Sequence, residues 1–398
     1  MCPECFDFVT SRAVSHSGLR FATERPGLRR GAKAPMSVER LPVRSQQRVA
    51  ILLNANAAAV SEHLLRELEN FVPPEDIFYS RTLEDARGIA RTVLERGYET
   101  VLTGGGDGTF VGYVNCLFEE AARPRVVVNG NGAVQLARHE FRMPRVGVLK
   151  LGTGNAVAEF CGSSARRVGV VEDILRTRSG EVAQAREVHL LTCDGKRAPF
   201  AGMGIDAAVL NDYMRMKQRF SGGPLQFAGS GGLGYLWSIV GRTIPLYLVQ
   251  RGVPNVTVVN LGAPARQIGP DGKPLGREIE RGAVIYRGPC RIAAAGAVPC
   301  YGFGFQMFPF ARKVHGRFQL RLSAMSLPKM LTQFPRIWRG HTPRGGMLDF
   351  HCEKIEVTFD REMPLQVGGD AEGYRKRIVI AMAAEPLELL DFGRPAAA

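Results

Sequence analysis

Residues 99–122 read "ETVLTGGGDGTFVGYVNCLFEEAA". A short apolar strand runs into three glycines, an aspartate, a fourth glycine and a threonine, and an apolar-periodic helix begins at once. A helix N-terminus presents unpaired amides and the positive end of the peptide dipole, which together receive phosphate. Glycines at Gly104, Gly105, Gly106 and Gly108 let the backbone come close to a ligand, and Thr109 is placed to cap the helix. Asp107 is the unexpected member. Beside a phosphate its carboxylate is repulsive unless it holds a cation or accepts a hydroxyl proton; otherwise it is an N-cap in a tight turn.

Around this loop the chain alternates. "VAILLN" (49–54), "DIFYSRT" (76–82), "ETVLTG" (99–104) and "RVGVLKL" (145–151) have the composition of buried parallel strands. Between the first three lie segments with one apolar face, "SEHLLRELENFV" (61–72) and "LEDARGIARTVLERG" (83–97). This pattern predicts a doubly wound α/β unit. A second strand-to-helix turn, Gly152-Thr153-Gly154-Asn155, follows the fourth strand, and turns at the carboxyl ends of neighbouring strands share one crevice.

From "EVHLLTCDG" (187–195) onward the pattern changes to strands: "NVTVVNLG", "GAVIYRG", "RIAAAGAV", "RFQLRLSAM", "KIEVTFD", "MPLQVGG" and "RIVIAMA". This succession predicts a second, larger and mostly antiparallel β domain, interrupted by helices over 205–220, 230–247 and 326–338. Residues 1–47 lack periodicity and read as a flexible extension, within which Met36 is an alternative start.

Composition narrows the function. Of 398 residues, 45% are hydrophobic and 23% charged, which is ordinary for a globular protein. The excess of 52 Lys and Arg over 38 Asp and Glu gives +14 and predicts attraction to something anionic. No basic run interleaved with aromatics points to nucleic acid. Eight scattered cysteines suit reduced, buried thiols, and Cys2 and Cys5 form a lone CxxC with no second ligand pair nearby. No stretch approaches the ~20 apolar residues that span a bilayer.

The combination of GGGDGT, LGTGN, "GMGIDA" (202–207) and "LQVGGDAEG" (365–373) resembles the diacylglycerol kinase catalytic-domain superfamily, which includes bacterial lipid kinases and sphingosine and ceramide kinases. The resemblance covers roughly residues 48–392. It implies an α/β nucleotide-binding domain over 48–186, a β-rich lipid-binding domain over 187–385, an ATP cleft between them, and a segment 386–398 returning toward the first domain. The implied reaction is ATP- and Mg²⁺-dependent phosphoryl transfer to a hydroxyl of a diacylglycerol- or sphingoid-type lipid.

Carried over residue by residue, the resemblance assigns nucleotide binding to Asn54, Gly105, Gly106, Asp107, Gly108, Thr109, Gly152, Thr153, Gly154 and Asn155. It assigns catalysis to Asp370, Glu372 and Asp107, with Asp370 as base, and metal contact to Asp107 and Glu372. Several positions depart from the family. Ala55 replaces the proline after Asn54; Val111 and Gly112 replace an Asn-Glu pair, although Asn115 matches; and Lys150 replaces a proline, where it could add positive charge near phosphates. The family's DGE becomes Gly368-Gly369-Asp370-Ala371-Glu372, displacing the acid pair by two glycines, which a β-bulge or wider turn could absorb. In "PFARKVHGRF" (309–318), Val314 and His315 stand where bacterial members carry two acids, so a hard cation finds no carboxylate there.

A lipid substrate implies a peripheral encounter with an anionic inner membrane face by a cytoplasmic protein. Candidate apolar contacts lie at 231–249 and 329–340, although helical spacing of Leu and Trp equally suits core helices. Oligomeric state stays open, a homodimer included. Two other readings are a nicotinamide-dinucleotide kinase, whose family shares GGDGT, and a non-catalytic lipid or nucleotide binder.

Overall fold

Six strands form the first sheet, and their apolar composition explains why. Strand β1 (Val49–Asn54) buries Val49 through Leu53 completely, and β3 (Thr100–Gly105) is buried along its whole length. Such strands can be covered only by helices on both faces. The computed structural model describes residues 48–57, 59–128, 134–137, 141–182, 184–205, 207–208, 252–343 and 345–393. The N-terminal extension with its CxxC and Met36, Asp206, most of the 205–220 helix, the 230–247 helix, the 231–249 contact and residues 394–398 lie outside these.

In chain order the first half comprises β1, α1 (Glu62–Glu69), β2 (Ile77–Ser80), α2 (Leu83–Glu95), β3, α3 (Asp107–Ala122), the hairpin β4 (Arg125–Val128) and β5 (Val134–Ala137), β6 (Arg145–Lys150), α4 (Ala156–Phe160), α5 (Arg167–Arg178) and β7 (Ala185–Val188). Local chemistry sets the helix starts: Ser61 caps α1, and Thr82 with Asp85 forms a capping box on α2. Strand order is β2-β1-β3-β6-β20-β7, with β20 the last strand, Leu387–Leu390. β1, β2, β3, β6 and β20 run parallel, and β7 pairs antiparallel with β20. The connection order reverses between β1 and β3, so the crevice at their carboxyl ends is the topological switch point. Asn54 and the glycine loop sit there.

The second sheet is antiparallel throughout. It contains β8 (Leu191–Cys193), β9 (Lys196–Ala198), β10 (Phe200–Gly204), β11 (Asn255–Asn260), β12 (Ala265–Ile268), β13 (Pro274–Ile279), β14 (Val284–Pro289), β15 (Ile292–Gly296), β16 (Phe318–Ser323), β17 (Met347–Cys352), β18 (Lys354–Val367) and β19 (Asp370–Met382), with helix α6 (Leu327–Trp338) before β17. The α/β lobe with a parallel sheet and the larger antiparallel lobe both follow the sequence expectation. "KIEVTFD" and "MPLQVGG" are, however, one 14-residue strand rather than two. "EVHLLTCDG" splits between the sheets, its first part in β7 and its second in β8.

Among the described residues the chain passes between the sheets twice, at 189–190 and at 383–386. The two passes lie side by side, with the Ala383 amide donating to the Leu190 carbonyl at 2.8 Å. A second tie joins the sheets through α3. The Asn115 side chain donates to the Arg197 carbonyl at 2.9 Å and accepts from the Arg197 amide at 2.8 Å, as a neighbouring strand would.

Asn115→Ala leaves that main-chain pair on Arg197 without protein partners. Loss of about 1–3 kcal/mol is expected, read as a lower urea midpoint at unchanged slope.

Candidate active site

Asp107 opens α3, and its carboxylate reaches across to the second turn. Oδ2 accepts the amide of Ala156 at 2.9 Å and Oδ1 that of Val157 at 3.0 Å. These are the first amides of α4, so Asp107 supplies the cap that Asn155, in left-handed conformation at φ 56°, does not supply with its own side chain. Asn155 instead closes its own turn, accepting from the Gly152 amide at 3.0 Å and donating to the Gly152 carbonyl at 2.7 Å. The two turns touch backbone to backbone: a Cβ on Gly152 would stand 2.1 Å from the Gly106 Cα. Glycine is required at this contact.

Thr109 does not cap α3. The N-cap is Gly106, which has no side chain, and the helix starts three residues before the expected position 110. The reason is Asn54, whose Nδ2 donates to the Thr109 hydroxyl at 2.8 Å and fixes the threonine against the end of β1. Gly105 leaves the room this needs, since a Cβ there would fall 2.3 Å from the Thr109 Oγ1. The amides of Asp107, Gly108 and Thr109 have no acceptor among the described residues. They are the orphan donors of the first helical turn.

The displaced acids arrive from the other sheet. Val367 pairs with Asp370, and Gly368 and Gly369, at φ 61° and 89°, form the two-residue hairpin between β18 and β19. Both central residues of such a primed turn need positive φ, so the inserted glycines make a tight turn and not the wider one expected. Two register shifts fall further along, between Pro364 and Gln366 and between Thr358 and Met363. Buried Gln366 braces the hairpin, accepting from the Gly369 amide at 3.1 Å and donating to the Tyr301 hydroxyl at 2.7 Å.

The hairpin brings Asp370 to the glycine loop: a Cβ on Gly108 would lie 2.9 Å from Asp370 Oδ1. Asp370 is open to solvent but crowded by protein on one side. That crowding, and then the Glu372 charge, push its carboxyl above the usual range. Among the described residues its oxygens have no hydrogen-bond partner, whereas Glu372 is paired with Lys196 at 2.5 Å.

Asp107 is only 8% exposed. Burial outweighs the two amide hydrogen bonds, and with the charges of Glu159 and Asp370 nearby its carboxyl is pushed up to about 6. Lys150 does not stand free near a phosphate. It pairs with Glu159 at 2.8 Å, and the other Glu159 oxygen accepts the Gly304 amide at 2.8 Å. Sequence reasoning missed Gln366, Tyr301, Lys196 and Glu159. They are polar side chains dispersed over four elements without a shared spacing.

The cluster thus unites Asn54, both glycine turns and Asp370 in one place, with Glu372 at its edge. Residues 48–186 match the family model described as the diacylglycerol kinase catalytic domain. No curated protein matches the chain in sequence. A diacylglycerol kinase structure from Bacillus anthracis str. Sterne superposes with TM-score 0.52 at 13% identity, covering 88% of this chain and 99% of that one. A second chain from the same organism, provisionally designated a diacylglycerol kinase, gives 0.55 at 13% identity, with the same coverage of 88% and 99%. The likeness to the diacylglycerol kinase catalytic domain thus lies in residues 48–186, and the two-lobed fold extends the structural likeness over the second sheet.

Two outcomes test this geometry. Gly152→Ala forces the turns apart, so a lowered melting temperature is expected from thermal unfolding, with Gly88→Ala, which has open space around it, as the tolerated control. Asp107 has a folded value raised above its ordinary 3.8, so it favours the folded state in acid and loses that contribution as pH rises through about 6. The stability of the unaltered protein relative to Asp107→Asn should therefore fall between roughly pH 4 and pH 7, read from denaturant midpoints, and level off above.

Proposed function

We propose that the protein is an ATP-dependent lipid kinase, which transfers the γ-phosphate to a hydroxyl of a diacylglycerol- or sphingoid-type lipid. The observation that carries this reading is the unpartnered Asp370 carboxylate beside the orphan amides that open α3. The catalytic-domain match over residues 48–186 supports kinase chemistry.

Phosphoryl transfer asks a protein mainly for positioning and charge stabilisation. The amides of Asp107, Gly108 and Thr109 receive phosphate oxygens, and the bare backbone at Gly106 and Gly152 lets the phosphates come close. Asp370 takes the proton from the acceptor hydroxyl as that oxygen bonds to the γ-phosphorus. The bond from that phosphorus to the β–γ bridging oxygen breaks, and ADP leaves with the electron pair. A carboxyl held above its usual range suits a base, because proton affinity drives the transfer.

Magnesium bound with the nucleotide would neutralise phosphate charge. Asp107 and Glu372 do not fit as its protein ligands, since the first gives both oxygens to amides and the second is paired with Lys196. No step is therefore assigned to a cation held by them.

Access for a lipid is offered by α6. The helix lies at the surface: Ile337 is buried, but Leu331 is 51% exposed, and Lys329, Arg336 and Arg339 give the helix a positive charge. Phe305 stacks on Trp338 at 5.3 Å, and the same loop contacts the second glycine turn, where the Phe303 amide donates to the Gly154 carbonyl. An apolar route thus joins α6 to the phosphate loops. No helix among the described residues is long and apolar enough to cross a membrane, so basic residues would supply reversible attachment to an anionic leaflet at ~1 kcal/mol each.

Incubation of the full chain with labelled ATP, Mg²⁺, NAD and vesicles containing diacylglycerol, sphingosine or ceramide should yield labelled lipid. Asp370→Asn should reduce the rate by roughly 10²–10⁴-fold with an unchanged circular dichroism spectrum. Labelled NAD in place of lipid, or full activity in Asp370→Asn, overturns the acceptor or the base respectively.

A further inference from the structure

Where the chain first passes from one sheet to the other, three metal-ligating side chains converge. Glu187 lies in β7, His189 in the first pass between the sheets, and His315 on the exposed turn before β16. One ligand atom from each lies within 4.8 Å of the others. His189 Nε2 is 3.4 Å from Glu187 Oε1, and the imidazoles of His189 and His315 meet edge to face with centroids 5.6 Å apart. Ligand atoms about a tetrahedral zinc, at bonds of about 2.0–2.1 Å, stand about 3.3 Å apart. One pair already has that spacing, and His315, on a surface turn, reaches it by side-chain rotation.

A second observation points the same way. His189 Nδ1 is 3.0 Å from the Ala383 carbonyl, which can only accept, so Nδ1 carries a proton and Nε2, on the Glu187 side, is the nitrogen a metal would take. This is the outer hydrogen bond that ligating histidines characteristically make. Arg312 does not compete for the carboxylate, because it donates to the Glu187 main-chain carbonyl at 3.2 Å.

We propose that Glu187, His189 and His315 bind a divalent transition-metal ion, zinc by their donor set. Two imidazoles and one carboxylate suit zinc and exclude magnesium, which takes oxygen ligands. The ion joins β7 (Glu187) and the first pass (His189) to the second lobe (His315). Through the His189 bond to Ala383 it also braces the second pass, and so it stiffens the hinge between the lobes. The three protein ligands leave one position for water.

The test uses the full chain, stripped with a chelator and titrated with Co²⁺. One equivalent should produce the visible d–d bands of a four-coordinate site, be displaced by one equivalent of Zn²⁺, and be unaffected by Mg²⁺. His315→Asn, an exposed substitution, and His189→Ala should each weaken Zn²⁺ binding by roughly 100-fold or more, since even loss of an outer partner costs 10–100-fold. Zn²⁺ should raise the melting temperature of the unaltered protein and not that of His315→Asn. Absence of saturable Co²⁺ or Zn²⁺ binding overturns the proposal. So does binding that persists in both variants or that shows thiolate-to-cobalt charge transfer, which marks a cysteine site.

Discussion

The arrangement rests on one buried carboxylate. Asp107 belongs to α3 by sequence but caps α4 by hydrogen bonding, and each of its oxygens receives an amide of that second helix. This decides which helix end has amides to spare. The amides opening α4 are used up internally, whereas those opening α3 are left unpaired. The clamp also holds Gly106 against Gly152, so two turns from separate strands become one surface. Its cost is the desolvation that drives the Asp107 carboxyl upward, a strain tolerated where function requires it.

Charge compensation around that surface leaves a single exception. Asp107 is met by two amides, Glu159 by Lys150 and the Gly304 amide, and Glu372 by Lys196. Asp370 alone has no hydrogen-bond partner among the described residues. Solvent serves its oxygens on the open side, and on the crowded side its charge is free for something that arrives to use it. In the proposed reaction that something is the proton of the acceptor hydroxyl, and the neighbouring Glu372 charge raises the affinity for it.

Much of this was legible in the sequence where chemistry and spacing coincide. Completely buried runs such as "VAILLN" announced parallel strands, and two glycine-rich strand-to-helix turns announced one crevice. What escaped was set by contacts between distant positions. Nothing local distinguishes Asp107 as a cap for residues 156 and 157 from Asp107 as a metal ligand. Thr109 carries the composition of an N-cap, yet Asn54, 55 residues earlier, claims its hydroxyl. Gly368-Gly369 reads as an insertion that displaces the acids. Only the pairing of Val367 with Asp370 shows it to be the turn that delivers them.

That delivery makes the site a property of both lobes. Asp370 rides on the second sheet, and the amides it faces belong to the first, so their separation is fixed by whatever fixes the sheets. Several links do so, among them Asn115 on Arg197, the Gly302–Phe303 backbone against Gly154, the Gly304 amide on Glu159, and the paired passes at Leu190 and Ala383. A shift of about 1 Å between reacting groups can cost 100-fold in rate. Gln366 braces the Asp370 hairpin to its own sheet while Gly368 packs closely on Val111 of α3, so motion at the paired passes would disturb the contact between hairpin and helix. In the proposed reaction, stiffness at 187–190 and 383 therefore serves the chemistry as well as the fold, and the Glu187, His189 and His315 cluster lies where a bound ion would supply it.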